Sequence, residues 1–600
     1  RPTQGRPRTI AGGAGMSATL EAREPVARYL ATPPLLQHFD RVAQAPGGVA
    51  RLRELILTLA VQGKLVPQDP ADEPASVLLE RIRAEKAQLV REGKIRKEKP
   101  LAAIAEEEKP FALPAGWEWA RLNQLLTKIG AGSTPLGGKE VYVSEGIKFL
   151  RSQNIWNDGL RLTDVAYIKP ETHRKMSGTV VLAGDILFNI TGASIGRCAI
   201  VPVGFDEANV SQHVTIIRPT LPKVTCYLHL VLISPHVQQT VMDVQVGVSR
   251  EGLSIGKLGQ FIVPIPPLAE QSRIVTRVEE LMVLCDTLEE TGRLAAVQHE
   301  RLAGALFDAL ANSATAEEAA ANWQRIAPHF DLLLDRTSTV DRLEQTILQL
   351  AVRGRLVPQD PADEPASALL QEIRSEKDRL IATGQLKRDK PLPPIGDEER
   401  PFDLPQGWSF VSFPELCVIG GGATPSKAKP MYWEGDLPWV SPKDMKVDLI
   451  ADAQDHVSKL ALEETRLPLV PRNSLLIVVR GMILAHSFPV GVTQIEVTIN
   501  QDMKSLTPLT PTLTPYLALA CKGFKQDILE LVERSSHGTC KLESDKLFAF
   551  RFGLPPLPEQ SRIVARVAEL RDLCAQLRQR IATTAQIQSR LAETLVDGLG

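Results

Sequence analysis

The residues that could do chemistry in this chain do not assemble into a catalytic constellation. Gly256-Lys257 is the nearest approach to a phosphate-binding loop, but Leu258 follows it and Glu251 stands where the leading glycine belongs. Gly420, Gly421 and Gly422 precede no G-x-x-G completion and read as a turn. There is no N-P-P-[YF] motif of amino-methyltransferases, no G-x-S-x-G elbow and no H-E-x-x-H zinc helix. The acidic run Glu106-Glu107-Glu108 reads as a solvated linker, and the 10 histidines are scattered. The 7 cysteines lie far apart with no C-x-x-C pair, which favours reduced thiols in a cytoplasm over a disulfide framework or a zinc site. The chain alone is expected not to be an enzyme. What remains are hydrogen-bonding side chains on loops, the chemistry of recognition.

The elements that must position those loops are written twice. Val49 to Ser76 returns as Val340 to Ser367, identical at 21 of 28 positions, and Pro266 to Leu281 returns as Pro555 to Leu570, identical at 13 of 16. Between these islands, residues 115–265 and 406–554 match only in outline. Two near-constant frames around two divergent inserts suggest one scaffold carrying two readers, a pseudo-symmetric molecule suited to a symmetric partner.

Each pass has three parts. Helix-spaced Leu52, Leu55, Ile56 and Leu59 open the first, and Gly63 stands where a helix would stop. The segment LVPQDPADEPAS then forms a rigid turn, with Ser76 or the acids before it placed to cap a second helix carrying Leu78, Leu79, Ile82 and Leu89. The second copy repeats that helix with Leu369, Leu370, Ile373 and Leu380. After Trp117 and Trp408, both expected to anchor the core, the period changes to short β-rich runs such as IKFLR, VVLAGDILFNI and HVTIIRP, or LPWVS, SLLIVVRG and PVGVTQIEVTI. Helices are expected near 225–245 and 515–534. Each pass closes on a long helix with apolar or small residues at 274, 278, 281, 285, 288, 295, 302, 306 and 309, and at 563, 567, 570, 574, 577, 581, 591 and 595. Two such helices packed antiparallel would hold the inserts apart by more than one DNA turn of about 34 Å.

The resulting fold class is α+β, with two mixed α/β domains separated by long antiparallel coiled-coil-like helices in a pseudo-two-fold repeat. The expected boundaries are a partly disordered N-terminal tail (1–48), a helical segment (49–110), a first insert domain (111–265) and a long helix (266–311). A linker with the second helical segment (312–400), a second insert domain (401–554) and a second long helix (555–600) follow. Residues 1–15 precede Met16 and lack the apolar stretch of a secretory signal. No apolar run approaches the roughly 18 to 20 residues of a membrane span, and a cytoplasmic location is expected.

Several motifs in order carry a family resemblance. PPLAEQSRI and PPLPEQSRI open the long helices, LPAGWEW and LPQGWSF enter the inserts, and GGATPSKAKPMYWEGDLPWVSPKDM begins the second insert. With GDILFNITGASIGRCAIV and NVSQHVTIIRP in the first, they make the chain similar to the specificity (S) subunits of type I restriction-modification systems, from about residue 48 to 600. The second insert departs from the family's pattern where VVRGMILAHSFP replaces NITGASIGRCAI.

The resemblance implies two target recognition domains that read the two parts of a bipartite asymmetric site in double-stranded DNA. It also implies helices that set the gap and dock methyltransferase (M) subunits, two of them, and through these the restriction (R) subunits. S-adenosylmethionine, ATP and Mg would belong to the partners, with no cofactor or metal on this chain and no membrane partner. Groove readout needs donor forks and small polar groups on loops. In the first insert these are Ser133, Thr134, Arg151, Gln153, Asn154, Gln212, His213 and Arg250. In the second they are Thr424, Lys427, Ser441, Lys443, Asn500, Gln501, Ser536 and Lys541. Arg273, Arg277, Arg562 and Arg566 on the long helices are candidates to meet a methyltransferase.

Charge raises an objection. The formal net charge is −2, with 14 basic against 11 acidic residues in 115–265 and 15 against 16 in 405–553. Phosphate neutralisation drives much of DNA affinity, so the isolated chain should bind DNA weakly and partners would supply basic surface. The competing readings are an S subunit of a fused type II enzyme, a free-standing DNA-binding regulator and a coiled-coil adaptor with no nucleic-acid role. The last leaves the divergence of the inserts unexplained.

Overall fold

The computed structural model describes residues 39, 42–97, 101–246, 252–313, 315–386, 402–465, 467–534 and 539–597. Most of the 1–48 tail lies outside them, as do Arg250 and Ser536. The chain divides into two compact units. The first comprises residues up to Leu294 with those from Ala585 on, and the second runs from Ala295 to Thr584. Each unit is therefore completed by the end of the other pass's long helix. The α+β architecture read from the sequence, two mixed insert domains on a repeated helical frame, is the one observed.

In the first unit the opening helix Gly48–Val61 buries Leu52, Leu55, Ile56 and Leu59. They share one core with Ile274, Val278, Leu281 and Cys285 of the long helix Leu268–Ala311 and with Ala592 near the end of the other long helix, Leu557–Asp597. The second helix, Ala75–Arg91, buries Leu78, Leu79 and Ile82. Its N-terminus corrects the expected cap. Pro74 occupies the cap position without a side-chain bond, and Ala75 N–H donates instead to the Gly116 carbonyl at 2.8 Å. The second unit repeats this with Ala366 N–H on Gly407 O, also at 2.8 Å. A backbone acceptor from the LPAGW loop thus satisfies the helix end and ties frame to insert.

The same loop delivers the tryptophan. Trp117 is buried, and its indole N–H donates to Glu270 Oε2 at 3.0 Å, while Gln68 Nε2 donates to Glu270 Oε1 at 3.2 Å. Trp408, Glu559 and Gln359 repeat both contacts at 3.0 and 3.2 Å. Burial raises the pKa of both carboxyls above the usual range.

The expected register of the long helices fails beyond their first half. Ala303, Phe307 and Leu310 are buried, while Leu302 is 56% and Leu591 54% exposed. Cys285 belongs to the first unit's core and Ala303 to the second's, as Cys574 belongs to the second's and Ala592 to the first's, with no buried side chain between them in either helix. The segment 312–339, expected to link the two passes, is largely helical, with Ala316–Ile326 and Phe330–Leu333 placing Ile326 and Leu333 in the second unit's core.

The first insert holds two main sheets. One is antiparallel, in the order Cys198–Ile200, Ile186–Asn189, Val214–Pro219, Leu126–Ala131. The other runs Tyr142–Val143, Ala166–Ile168, Ile147–Leu150, Ala208–Val210, Val180–Val181, with Ala208–Val210 parallel to Ile147–Leu150. In the second insert, Cys417–Gly421, Met503–Pro508, Leu475–Val478, Val490–Thr493 and Leu449–Ile450 form one sheet. Thr498–Ile499 lies parallel to Leu437–Val440 in another. Helices Thr225–Ile233 and Pro235–Val246, and Thr514–Gly523 and Lys525–Glu530, fill the stretches expected to be helical.

Candidate nucleic-acid interface

Strand pairing decides which loops meet. Parallel strands end at the same edge, so Arg151 and Ser211, which follow the parallel pair, emerge side by side, with Ser211 N–H donating to Leu150 O at 2.9 Å. Antiparallel pairing brings Asn189 opposite Val214 and Ala131 opposite Thr215, so the chain leaves both strands at that edge too. Ser133 N–H donates to Val210 O at 3.2 Å, Ile190 N–H to His213 O at 3.0 Å, and Leu253 N–H to Ile190 O at 2.8 Å. Five separate sequence regions thus form one loop cluster.

The second insert builds the same cluster. Asn500 N–H donates to Val440 O at 3.0 Å, Ala423 N–H to Ile499 O at 3.0 Å, and Leu542 N–H to Val479 O at 2.9 Å. In both clusters a glycine allows the closest approach. A Cβ on Gly132 would lie 2.0 Å from Val210 O, and one on Gly422 2.0 Å from Asn500 O.

The sequence-derived candidates fall into groups. In the first cluster Ser133, Thr134, Gln212 and His213 are exposed. His213 Nδ1 lies 2.6 Å from Thr191 Oγ1. Arg151 reaches Asp164 O at 3.0 Å, and Gln153 bonds the Asp164 carboxylate, so one acid holds two candidate readers. Asn154 is buried and faces inward, accepting from Arg151 N–H at 2.9 Å and donating to Arg161 O at 2.9 Å. In the second cluster Thr424 hydrogen-bonds the exposed Gln501, and Lys427 and Lys443 are exposed. Ser441 is buried and caps a turn through Asp444 at 2.8 Å, and Asn500 Oδ1 accepts from Asp502 N–H at 3.0 Å. Lys541 pairs with Glu543 at 2.6 Å.

The long-helix arginines are engaged within their own units. Arg273 donates to Asp72 at 2.6 Å and Arg562 to Asp363 at 2.6 Å, clamping the QDPADEP turns, while Arg277 and Arg566 pair along their own helix with Glu280 and Glu569.

The sequence reading missed three cluster residues. Asn189 is fully buried and donates to Ser152 O at 2.9 Å and Ser194 Oγ at 3.2 Å, bracing two loops. Thr191 holds His213. At its place in the second insert stands Arg480, exposed and bridged through its backbone to Lys541. The available signal was position, since Asn189 ends the buried strand ILFN and Thr191 and Arg480 lie two residues past the ends of ILFN and LLIV. Among the described residues no group of His, Cys, Asp and Glu could hold a metal ion, and no helix is long and apolar enough to cross a membrane.

A family model described as the type I restriction modification DNA specificity domain matches residues 114–299 and again 405–586. The chain belongs to that family. The type I restriction enzyme EcoAI specificity subunit of Escherichia coli is 35% identical over 589 residues, covering 92% of this chain and 93% of the relative. The EcoEI specificity subunit of the same species is 34% identical over 576 residues, with 92% and 93% covered. The crystal structure of an HsdS subunit from Thermoanaerobacter tengcongensis aligns at 20% identity and a TM-score of 0.38, covering 82% of this chain and 98% of that one. Each family match contains one loop cluster and runs on into a long helix, so the repeated unit of this specificity subunit is a loop-bearing domain with its long helix.

Proposed function

We propose that this specificity subunit is the DNA-reading component of a type I restriction-modification complex. Each loop cluster reads one part of a bipartite, non-palindromic site in double-stranded DNA. The long helices fix the gap and dock two methyltransferase subunits, and through them the restriction subunits. The chain itself performs no catalysis, and S-adenosylmethionine, ATP and Mg act on the partners.

The observation that carries this reading is the pair of loop clusters at matching sheet edges, with one backbone scheme and different side chains. Ser133, Thr191, Ser211 and His213 in one stand where Ala423, Arg480, Asn500 and Asp502 stand in the other. Identical scaffolds with unlike donors and acceptors suit two unlike base sequences.

The test is co-expression with the methyltransferase encoded beside it, followed by sequencing that detects N6-methyladenine. A two-part motif with a fixed gap, lost on deletion of this chain, supports the reading. A perfect palindrome, or a motif that survives the deletion, contradicts it.

A further inference from the structure

Trp156 lies beside the first loop cluster with an arginine against each face. The Arg197 guanidinium carbon sits 3.9 Å and that of Arg161 4.1 Å from the ring centroid. Two guanidinium groups this close to one centroid must occupy opposite faces, because on one face they would overlap. The ring is fixed by its own N–H, which donates to Gln153 O at 2.9 Å. The neighbouring Asn157 Oδ1 accepts from Cys198 N–H at 3.0 Å, locking the Trp156 hairpin to the strand that begins just after Arg197.

The two arginines differ in one respect. Arg161 pairs with Asp158 at 3.1 Å, and Arg121, Arg151 and Arg218 in the same insert also meet carboxylates. Arg197 has no acidic partner among the described residues; the ring alone positions it. A guanidinium flat on an indole keeps its in-plane N–H fork turned outward, with less side-chain freedom left to lose on binding. Close by, the buried Asn189 Oδ1 and Ser211 Oγ have no hydrogen-bond partner among the described residues.

We propose that Arg197, stacked on Trp156, binds a phosphate of the DNA backbone flanking the half-site read by the first recognition domain. This rests on the DNA-reading function above. Guanidinium groups on opposite faces of a ring cannot converge on one base edge, whereas a cation facing outward at the rim of a reading cluster meets the strand's phosphates. Among the described residues the second insert has no such stack, since by strand register Lys446 and Pro489 stand at the matching positions. Its balance of 15 basic and 16 acidic residues, against 14 and 11 in the first, follows the same asymmetry.

The experiment measures Kd against salt for the full chain with its methyltransferase subunits on DNA bearing the motif, for wild type, Arg197→Ala and Trp156→Leu. Loss of one phosphate contact lowers the slope of log K on log salt by about 0.9. Arg197→Ala should show that drop with the motif unchanged, and Trp156→Leu should weaken binding with Arg197 still present. Unchanged affinity and slope in Arg197→Ala would overturn the assignment. A changed base preference at one motif position would also overturn it, making Arg197 a base reader. Absence of sequence-specific binding by wild type would instead defeat the DNA-reading function itself. Thermal melting of both variants identifies any loss due to misfolding, and Arg197→Lys, which keeps the charge, should then retain the wild-type slope.

Discussion

Glu344 accepts a hydrogen bond from Arg578 at 2.6 Å, and the corresponding pair in the first unit, Arg53 and Glu289 at 2.7 Å, has its charges exchanged. Both join an opening helix to its long helix. Glu344 also accepts from Arg571 at 2.7 Å and its side chain is 15% exposed, whereas Glu289 is 61% exposed. The exposed pair is worth less than about 1 kcal/mol; a half-buried carboxylate serving two arginines is worth about 1.5–3 kcal/mol. Glu344→Arg should therefore lower the melting temperature well beyond Arg53→Glu, and Glu344→Arg with Arg578→Glu should recover part of the loss.

The buried carboxyls make opposite contributions to pH dependence. Burial acts to raise the pKa of Glu344, but the hydrogen bonds and charges of Arg578 and Arg571 outweigh it and hold the group below its ordinary value. Its contribution is present above the unfolded value of about 4.3 and is lost as pH falls through the folded one. Glu270 and Glu559 are raised by burial, so the unfolded chain ionises first and their contribution declines as pH climbs from about 4.3 towards the folded values. In denaturant titrations across pH, Glu344→Gln should flatten the acid-side loss. Glu270→Gln should remove part of the decline on the other side.

The tryptophan clasp should show energetic coupling. Glu270→Ala leaves the buried Trp117 N–H without its acceptor, a cost of about 1–3 kcal/mol. Trp117→Phe removes the donor, so the double variant should lose less than the sum of the two single variants. Additive losses from a chemical-denaturation cycle would show that the bond contributes nothing.

Glycine at the end of the opening helices is a steric requirement as well as a helix stop. Gly63 has φ +71° and a Cβ there would meet Pro114 Cγ at 2.5 Å; Gly354 has φ +69° and Pro405 Cγ at 2.4 Å. Gly93 has the same φ of +71° with nothing within 4 Å. Gly93→Ala should cost about 1 kcal/mol from backbone strain alone, and Gly63→Ala distinctly more, read from melting curves.

Much of this fold was legible because it was local and repeated. The apolar spacing of Leu52, Leu55, Ile56 and Leu59 reported the face they bury, and the β-rich runs became strands. Two kinds of feature were not legible. The long helix serves a different core past Cys285, which one apolar pattern does not encode, so Leu302 was expected inside where Ala303 is. The loop clusters depend on a parallel pairing between strands about 60 residues apart, which no local pattern encodes. Hence exposed candidates such as His213 and Gln501 were found by residue type, inward-facing Asn154 and Ser441 were chosen for the same reason, and Arg480 was overlooked.

If two readers share one repeated frame, a change in one should leave the other untouched, which the methylation motif of an Arg480→Ala, Gln501→Ala double variant reports. Both residues lie in the second cluster, so base preference should relax in one half of the motif. The other half and the gap should stay as in wild type. Altered preference in both halves, or a changed gap, would contradict it.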